Sequence, residues 1–377
     1  MTGRTTNTIS PEELEFYSRQ IVLPQIGYEG QLKLRDSSVC VAGMGGLGSA
    51  AATQLAAMGV GQLHLVDYDV VELSNLQRQH LYDVSSVGYP KVEVAAKRLR
   101  ELNPHVQIEP LPLAIGAHNA EGLVKDVDLV LDGLDSMTPR YAINRACMKL
   151  GVPYVFGAAV SVYGNTSTIL PGKTACLECF YGSIEDEALP SCSILGVHPS
   201  VISLVASIQV AEATRVLLAQ EPRLAGRLLY CDIEALEFER VELSRIPDCP
   251  VCGSAPRQPS VMSGHKLVSE LCSREGRRTF AIRPRRDLAL DMKQMRELLR
   301  KNGFHVTVRA SLGTSFEWSS TGQASVLASG VMIVEGARTE TEAYDLFHTL
   351  VVEGLNIALP DEDRLQEPSQ SQDDGPS

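Results

Sequence analysis

Between Val41 and Asp69 the chain reads VAGMGGLGSAAATQLAAMGVGQLHLVDYD: an apolar strand, a glycine-rich turn, an alanine-rich helix and a second apolar strand ending in acid. Few folds admit this order. Gly43, Gly45 and Gly48 satisfy the dinucleotide fingerprint, in which glycine permits a tight turn and close backbone approach while the following helix N-terminus faces a phosphate. Asp67 stands where an acid would bind a ribose. The same turn serves NAD in a dehydrogenase or ATP in an adenylating enzyme, so the residues downstream must decide the nucleotide.

From Ser38 to Val160, five apolar segments (SVCVAG, QLHLVD, VQIEPL, DLVLDG and PYVFGAA) alternate with longer helical patterns, among them PKVEVAAKRLRELN, which begins at Pro90. That alternation predicts an α/β fold with a Rossmann-like, mostly parallel sheet and crossover helices. GNTSTILPG and GRLLYCDIEALEFERVELS alternate in the strand period and predict an antiparallel extension of the sheet. The most apolar helix runs from His198 to Ala219. A Pro, Ser and Gly cluster, GSAPRQPSVMSG, marks a boundary. The expected organisation is a main domain over 1–260, a small α+β C-terminal domain over 261–360 and a disordered polar tail over 361–377. The small domain reads as strand, helix, several short strands, helix.

Arg and Lys total 34 against 46 Asp and Glu, a net charge of -12, which works against a broad nucleic-acid or anionic-membrane footprint. The N-terminus lacks a signal-type segment and no apolar run reads as long enough to span a bilayer, so the chain is expected to be cytoplasmic. In that compartment nine cysteines are not a disulfide framework. Cys176 and Cys179 form one C-x-x-C knuckle, and Cys249 and Cys252 form another. Two such pairs make the four-thiolate set preferred by structural zinc; the alternatives are two redox pairs or buried thiols. A closed zinc site would pin chain segments together and do no chemistry. Cys40, Cys147 and Cys231 lie in apolar elements and read as core.

After the second strand, DYDVVELSNLQRQHL and GYPK place Asn75, Arg78, Gln79 and Lys91 close behind the nucleotide edge. A triphosphate carries about four negative charges and needs cations beyond a helix N-terminus. Arg78 and Lys91 are candidates, each with the alternative of being a solvated charge near a helix start. Asp135, just past the fourth strand, lies at the carboxyl edge where open α/β sheets bind ligands, and a carboxylate there can hold magnesium on the phosphates. Asp132 is still within the strand and reads as a turn cap, and Arg140 as a helix residue paired with a carboxylate.

In order and approximate spacing, YSRQI, GMGGLGS, LVDYD, SNLQRQ, GYPK, LDGLDS, the two C-x-x-C pairs and SCSILGVHP resemble the ThiF/MoeB/HesA family. These are E1-like adenylating enzymes that activate the C-terminal glycine of ubiquitin-fold proteins, and the resemblance covers about Leu14 to Gly253. It implies that Gly43, Gly45, Gly46 and Gly48 cradle ATP, with Asp67 on the ribose and Asp69 beside it. Asn75, Arg78 and Lys91 would hold the phosphates, Gln79 would also line the cofactor site, Asp135 would bind Mg2+, and Arg19 would reach into the neighbouring subunit's site of a homodimer. The family usually has Asn after the magnesium aspartate, where this chain has Ser136, a shorter hydrogen-bonding side chain. A related branch that adenylates a carboxylate carried on tRNA often has Asp-Ser there and is the rival reading; the net charge and the SNLQRQ and cysteine context favour the protein-activating branch. A non-catalytic carrier-binding scaffold is the other alternative, which the intact Gly, Arg, Lys and Asp set opposes.

The resemblance thus implies an adenylyltransferase using ATP, Mg2+ and structural Zn2+. Its partner would be a ubiquitin-like sulfur carrier ending in Gly-Gly, with a sulfur donor of cysteine desulfurase or rhodanese type. Cys192 precedes the long apolar helix, where a thiolate is favoured, and matches the family position of a cysteine that attacks the adenylate or a persulfide; the alternative is a small buried hydrophobe. The C-terminal segment resembles the small strand-and-helix tail of some bacterial and archaeal members. It lacks a rhodanese-type cysteine loop and ends DDGPS rather than Gly-Gly.

Overall fold

The computed structural model describes residues 8–186, 195–254, 266–274, 276–360 and 363. The chain divides into two compact units, one reaching Ser263 and including Ala310–Leu312, the other made of Gly264–Arg309 and the chain from Gly313 onward. The GSAPRQPSVMSG linker lies mostly, and the 361–377 tail almost wholly, outside the described residues.

The helices of the first unit are α1 (Pro11–Phe16), α2 (Ser18–Ile21), α3 (Gly27–Asp36), α4 (Gly46–Ala57), α5 (Lys91–Leu102), α6 (Ala120–Val124), α7 (Met137–Leu150), α8 (Leu177–Tyr181) and α9 (Pro199–Leu217). Its strands are β1 (Ser38–Ala42), β2 (Gln62–Val66), β3 (Gln107–Leu111), β4 (Leu129–Asp132), β5 (Tyr154–Val160), β6 (Tyr163–Ile169), β7 (Arg227–Asp232) and β8 (Glu237–Glu242). They form one sheet in the order β3-β2-β1-β4-β5-β6-β7-β8. The first five strands run parallel and the last three antiparallel. This is the α/β fold with antiparallel extension read from the alternation of apolar runs.

Strand periodicity divides the core between the two faces. Val39, Val41, Leu63, Leu65, Leu129, Leu131 and Val155 pack with α4, α5 and α9. Cys40, Ala42, Val130, Tyr154 and Phe156 face the other way and pack with α6, α7 and α8. Cys40, Cys147 and Cys231 are buried.

Contrary to the sequence reading, one helix among the described residues is long and apolar enough to cross a membrane by length and composition: α9. It packs instead on α4, β5 and β6 and buries Val201, Ile202, Val205, Ala206 and Val210. Its polar groups explain the choice. Gln209 Nε2 donates to the Asp132 carbonyl at 2.8 Å, and Glu212 accepts from the Thr168 hydroxyl at 2.9 Å and the Leu224 amide at 2.7 Å. Hydrogen bonds that a lipid cannot supply tie this helix to the sheet.

The second unit is an α+β module. Strands β9 (Val268–Arg274), β10 (Arg277–Ile282), β11 (His305–Arg309), β12 (Gly313–Glu317), β13 (Gln323–Leu327) and β14 (Met332–Glu335) form an antiparallel sheet in the order β11-β12-β13-β14-β10-β9. Helices α10 (Met292–Lys301) and α11 (Glu340–Phe347) cover one face through Met295, Leu299, Ala343 and Phe347, against Phe280, Phe316, Val326 and Val334. Two strands, not one, precede α10. They pair as a hairpin whose reversal uses Gly276 at φ 76°, a conformation that glycine adopts without Cβ strain.

Candidate nucleotide site and cysteine cluster

Parallel pairing of β2, β1 and β4 brings their carboxyl ends, and the loops that follow, to one edge of the sheet. The glycines of the first loop have different causes. Gly43 has φ 91°, and a Cβ there would lie 2.7 Å from the Gly133 carbonyl oxygen. A Cβ at Gly48 would lie 1.8 Å from the Gly43 carbonyl oxygen, and one at Gly133 would lie 2.7 Å from the Gly48 Cα. Three backbones therefore touch where β1 and β4 diverge. Gly46 answers to Ile202 of α9, whose side chain would meet a Cβ at 2.9 Å. Gly45, the N-cap of α4, is different: a Cβ there would meet nothing nearer than 3.9 Å. It leaves room for a further atom at ordinary contact distance at the N-terminus of a 12-residue helix, whose first amides lack intrahelical acceptors.

The turn is clamped. The Met44 amide donates to Asp67 Oδ2 at 2.7 Å, and the Met44 carbonyl accepts from the buried Tyr82 hydroxyl at 2.8 Å. Asp67 Oδ1 accepts from the Asp69 amide at 2.7 Å. A carboxylate retains acceptor capacity beyond two amides, so a ribose hydroxyl remains chemically compatible with Asp67. Burial pushes the Asp67 carboxyl up, against the Lys91 charge and the two amides.

Lys91 opens α5. Its ammonium is buried and lies 2.7 Å from Asp69 Oδ2. Burial opposes that charge, but the Asp69 and Asp67 carboxylates and the hydrogen bond to Asp69 outweigh it, so the ammonium is held above the ordinary lysine range. The solvated-charge alternative for Lys91 is thereby set aside. Asn75 is buried in a short 3-10 turn, Leu73–Asn75, and its Oδ1 accepts from the Glu72 amide at 3.2 Å. Arg78 is half-buried and donates to the Ser74 carbonyl at 2.9 Å. Gln79 is buried, and its Oε1 has no hydrogen-bond partner among the described residues. Its amide is also the side chain nearest a Cβ at Gly45. An unsatisfied buried amide beside an open cradle fits a polar ligand laid across the glycine turn.

Across the crevice, Asp132 is fully buried and accepts from Arg140 Nε at 3.1 Å, the Tyr154 hydroxyl at 2.5 Å and the Leu134 amide at 2.8 Å. Both roles read for this pair, turn cap and paired arginine, are present. Asp135 is exposed, and Ser136 is the N-cap of α7. Asp186 binds the start of that helix, accepting from the Met137 and Thr138 amides and, at 2.6 Å, from the Thr138 hydroxyl. Arg19 is exposed on α2. Cys192 lies outside the described residues, and so does the side chain of Cys272.

The two knuckles form one cluster. Cys176 Sγ lies 3.9 Å from Cys179 and 3.6 Å from Cys249, and Cys179 lies 3.3 Å from Cys252. All four sulfurs fall within 4.8 Å of one another. Sulfurs each about 2.3 Å from one tetrahedral zinc would be about 3.8 Å apart, whereas a disulfide needs about 2.05 Å. The donor set is compatible with zinc, and the pairs are not independent. A Cβ at Gly253 would lie 2.5 Å from the Cys249 and Pro247 carbonyl oxygens, so glycine is required there. Beside the first knuckle, Glu178 binds Arg145 at 2.8 Å, and the Leu177 amide donates to Asn144 at 3.1 Å, fastening the cluster to α7.

A family model described as the ThiF family matches residues 17–251. The chain belongs to the ThiF family. It is similar to a sulfur carrier protein adenylyltransferase of Thermus thermophilus, 42% identical over 253 residues that make up 66% of this chain and 93% of that protein. It is also similar to a SAMP-activating enzyme E1 of Haloferax volcanii, 41% identical over 66% of this chain and 92% of that one. The crystal structure of E. coli MccB with ATP superposes with a TM-score of 0.56 at 24% identity, over 63% of this chain and 73% of that one, a likeness of fold. The ThiF match ends before the second unit begins.

Sequence reasoning missed three supports of the site: Gly133, Tyr82 and Asp186. Gly133 had a signal, since it follows β4 directly in LDGLDS. Tyr82 and Asp186 act over 38 and 49 residues of sequence and leave no local pattern.

Proposed function

We propose that this ThiF-family chain is an adenylyltransferase that uses ATP and Mg2+ to activate the C-terminal carboxylate of a ubiquitin-fold sulfur-carrier protein. One observation carries the choice of ATP over a dinucleotide: a buried, permanently charged Lys91 follows the same sheet edge on which an exposed Asp135 lies. A dinucleotide site needs neither. The choice of substrate is supported by the names of the most similar relatives, which act on sulfur carriers or are E1 enzymes.

The ionised C-terminal carboxylate is already a nucleophile, so no general base is needed. Its oxygen attacks the α-phosphorus, a carboxyl-to-phosphate anhydride bond forms, and the bond to the bridging oxygen of the β-phosphate breaks, releasing pyrophosphate. The work of the protein is positioning and neutralising charge. Gly45 admits the phosphates to the α4 amides, the unpartnered Oε1 of Gln79 is free to accept from a hydroxyl or amino group of the nucleotide, and Lys91 and Arg78 supply cations, with Asn75 bracing the segment before Arg78. Asp67, Asp69 and Ser136 border the nucleoside and phosphate positions. Asp135 would hold magnesium, which neutralises the leaving pyrophosphate. Zinc on Cys176, Cys179, Cys249 and Cys252 is structural in this reading. A homodimer, with Arg19 completing the partner subunit's site, a cysteine desulfurase or rhodanese-type sulfur donor, and Cys192 as acceptor of the activated acyl group complete the proposal.

The test is exchange of labelled pyrophosphate into ATP, since adenylation is reversible. Exchange that requires a carrier ending in Gly-Gly supports the reading. Exchange driven by tRNA and by no carrier overturns it in favour of the tRNA-linked branch.

A further inference from the structure

Tyr82 ties together two segments of the candidate site that are distant in sequence. It is buried, and its hydroxyl donates to the Met44 carbonyl at 2.8 Å. Its amide donates to the Gln79 carbonyl at 3.1 Å. One residue therefore joins the glycine turn to the segment that carries Arg78 and Gln79. Burial and the Asp67 and Asp69 charges push its ionisation well above the ordinary tyrosine range, so the hydroxyl remains a donor at neutral pH.

The consequence falls on the next amide. The Met44–Gly45 peptide is trans, so its carbonyl and its N–H point in opposite directions within one plane. With the carbonyl turned to the buried Tyr82 hydroxyl, the Gly45 N–H is turned away from it. The neighbouring backbone groups are occupied: the Met44 amide donates to Asp67 Oδ2 at 2.7 Å, and the Gly45 carbonyl accepts from the Ser49 amide at 3.0 Å. The Gly45 amide has no hydrogen-bond partner among the described residues. Glycine on one side leaves this peptide plane unusually free to turn, so its direction depends on what holds the carbonyl.

We infer that Tyr82 is a positioning residue for nucleotide binding: its hydroxyl locks the Met44–Gly45 peptide so that the Gly45 N–H is presented to the phosphate joined to the ribose. This rests on the nucleotide reading above. The first phosphate is singled out by adjacency, since Met44 is held by Asp67, the carboxylate read for the ribose, and Gly45 is the next residue. Without the hydroxyl, the Met44 carbonyl would be buried and unpaired, and the plane would be free to turn it toward the crevice. A carbonyl oxygen would then face the phosphate where a donor now stands.

The experiment is calorimetric titration of the full chain with AMP and with adenosine, comparing wild type with Tyr82→Phe. Phenylalanine keeps the ring and deletes only the hydroxyl. Affinity for AMP should fall at least about fivefold while affinity for adenosine stays within about twofold, because adenosine carries no phosphate for the amide to meet. An equal loss for both ligands would assign Tyr82 to the fold alone, and unchanged affinity for both would remove it from the site; either result overturns the inference. Hydrogen exchange of the wild-type chain keeps the inference open to refutation even where Tyr82→Phe does not fold. AMP should slow exchange of the Gly45 amide and adenosine should not; slowing by both alike, or by neither, would overturn the assignment. Wild-type protein that binds neither AMP nor ATP would instead overturn the nucleotide reading on which the inference rests.

Discussion

Lys91→Met separates what the buried ammonium does for the fold from what it does for the reaction. Methionine keeps most of the aliphatic stem and deletes the charge. The Lys91 side chain is 6% exposed and that of Asp69 21% exposed, at 2.7 Å. Removing one member of such a pair strands the other and costs about 3–5 kcal/mol; since Asp69 keeps some solvent, the low end, about 3 kcal/mol, is expected. Adding Asp69→Asn removes the stranded charge and should return all but about 1 kcal/mol. Urea unfolding of the three variants measures this. Exchange of pyrophosphate should respond differently: loss of a cation from the phosphate site removes about 3 kcal/mol of transition-state stabilisation, roughly a hundredfold in rate, and the double variant should not recover it. Asp69→Asn alone keeps the cation and should retain exchange within about tenfold. Full recovery of exchange in the stable double variant would refute a role for Lys91 beyond holding Asp69 in place.

Two glycines three residues apart should behave oppositely. Gly48→Ala drives a Cβ to 1.8 Å from the Gly43 carbonyl oxygen and should cost about 4 kcal/mol or more, read by thermal unfolding. Gly45→Ala meets nothing nearer than 3.9 Å and should keep stability within about 1 kcal/mol while raising KM for ATP at least about tenfold, and an unchanged KM would remove Gly45 from the nucleotide site. Metal analysis should find about one zinc per chain, lost in Cys249→Ser together with a fall in the unfolding midpoint; metal-free protein with disulfides would refute a zinc site. Arg19→Ala and Asp135→Ala should each abolish exchange, and purified mixed dimers of the two should recover about half of the sites, because one site then combines an intact Asp135 with the neighbour's intact Arg19. No recovery in folded mixed dimers would mean that Arg19 acts within its own chain or not at all.

The parallel strands, the glycine turn and the cysteine knuckles were legible because each is a local pattern: apolar runs in the strand period, glycines at fixed offsets, and C-x-x-C repeated. What was hidden depends on contacts between distant segments. Gly46 looks like part of the cradle, yet its lack of a side chain accommodates Ile202 of α9. The hydropathy of α9 says only that it is apolar; that it lies on a sheet follows from Gln209 and Glu212 meeting strand and loop groups 11 to 77 positions away. The hairpin at the start of the second unit was read as one strand because its reversal at Gly276 is short. Lys91 was ambiguous for a similar reason: its neighbours in sequence do not reveal that Asp69 and Asp67 surround it.

The position of the site follows from how the chain leaves β1 and β4. From β1 it turns through the glycines into α4, which packs on one face of the sheet; from β4 it passes Gly133 into α7, which packs on the other. Two neighbouring strands whose connections part to opposite faces leave a crevice at their carboxyl ends. Contact of Gly43, Gly48 and Gly133 closes the floor of that crevice, so a ligand can lie only above it, against Gly45. The two kinds of charge then fall where each is useful. Lys91 is buried and already paired, so its field is fixed before a nucleotide arrives and costs no reorganisation during reaction. Asp135 is exposed, so the magnesium proposed for it could arrive and leave with each nucleotide. On the proposed reading, a turnover that releases pyrophosphate uses both: the permanent charge of Lys91 to hold the phosphates in line, and a magnesium at Asp135 that would depart with the product.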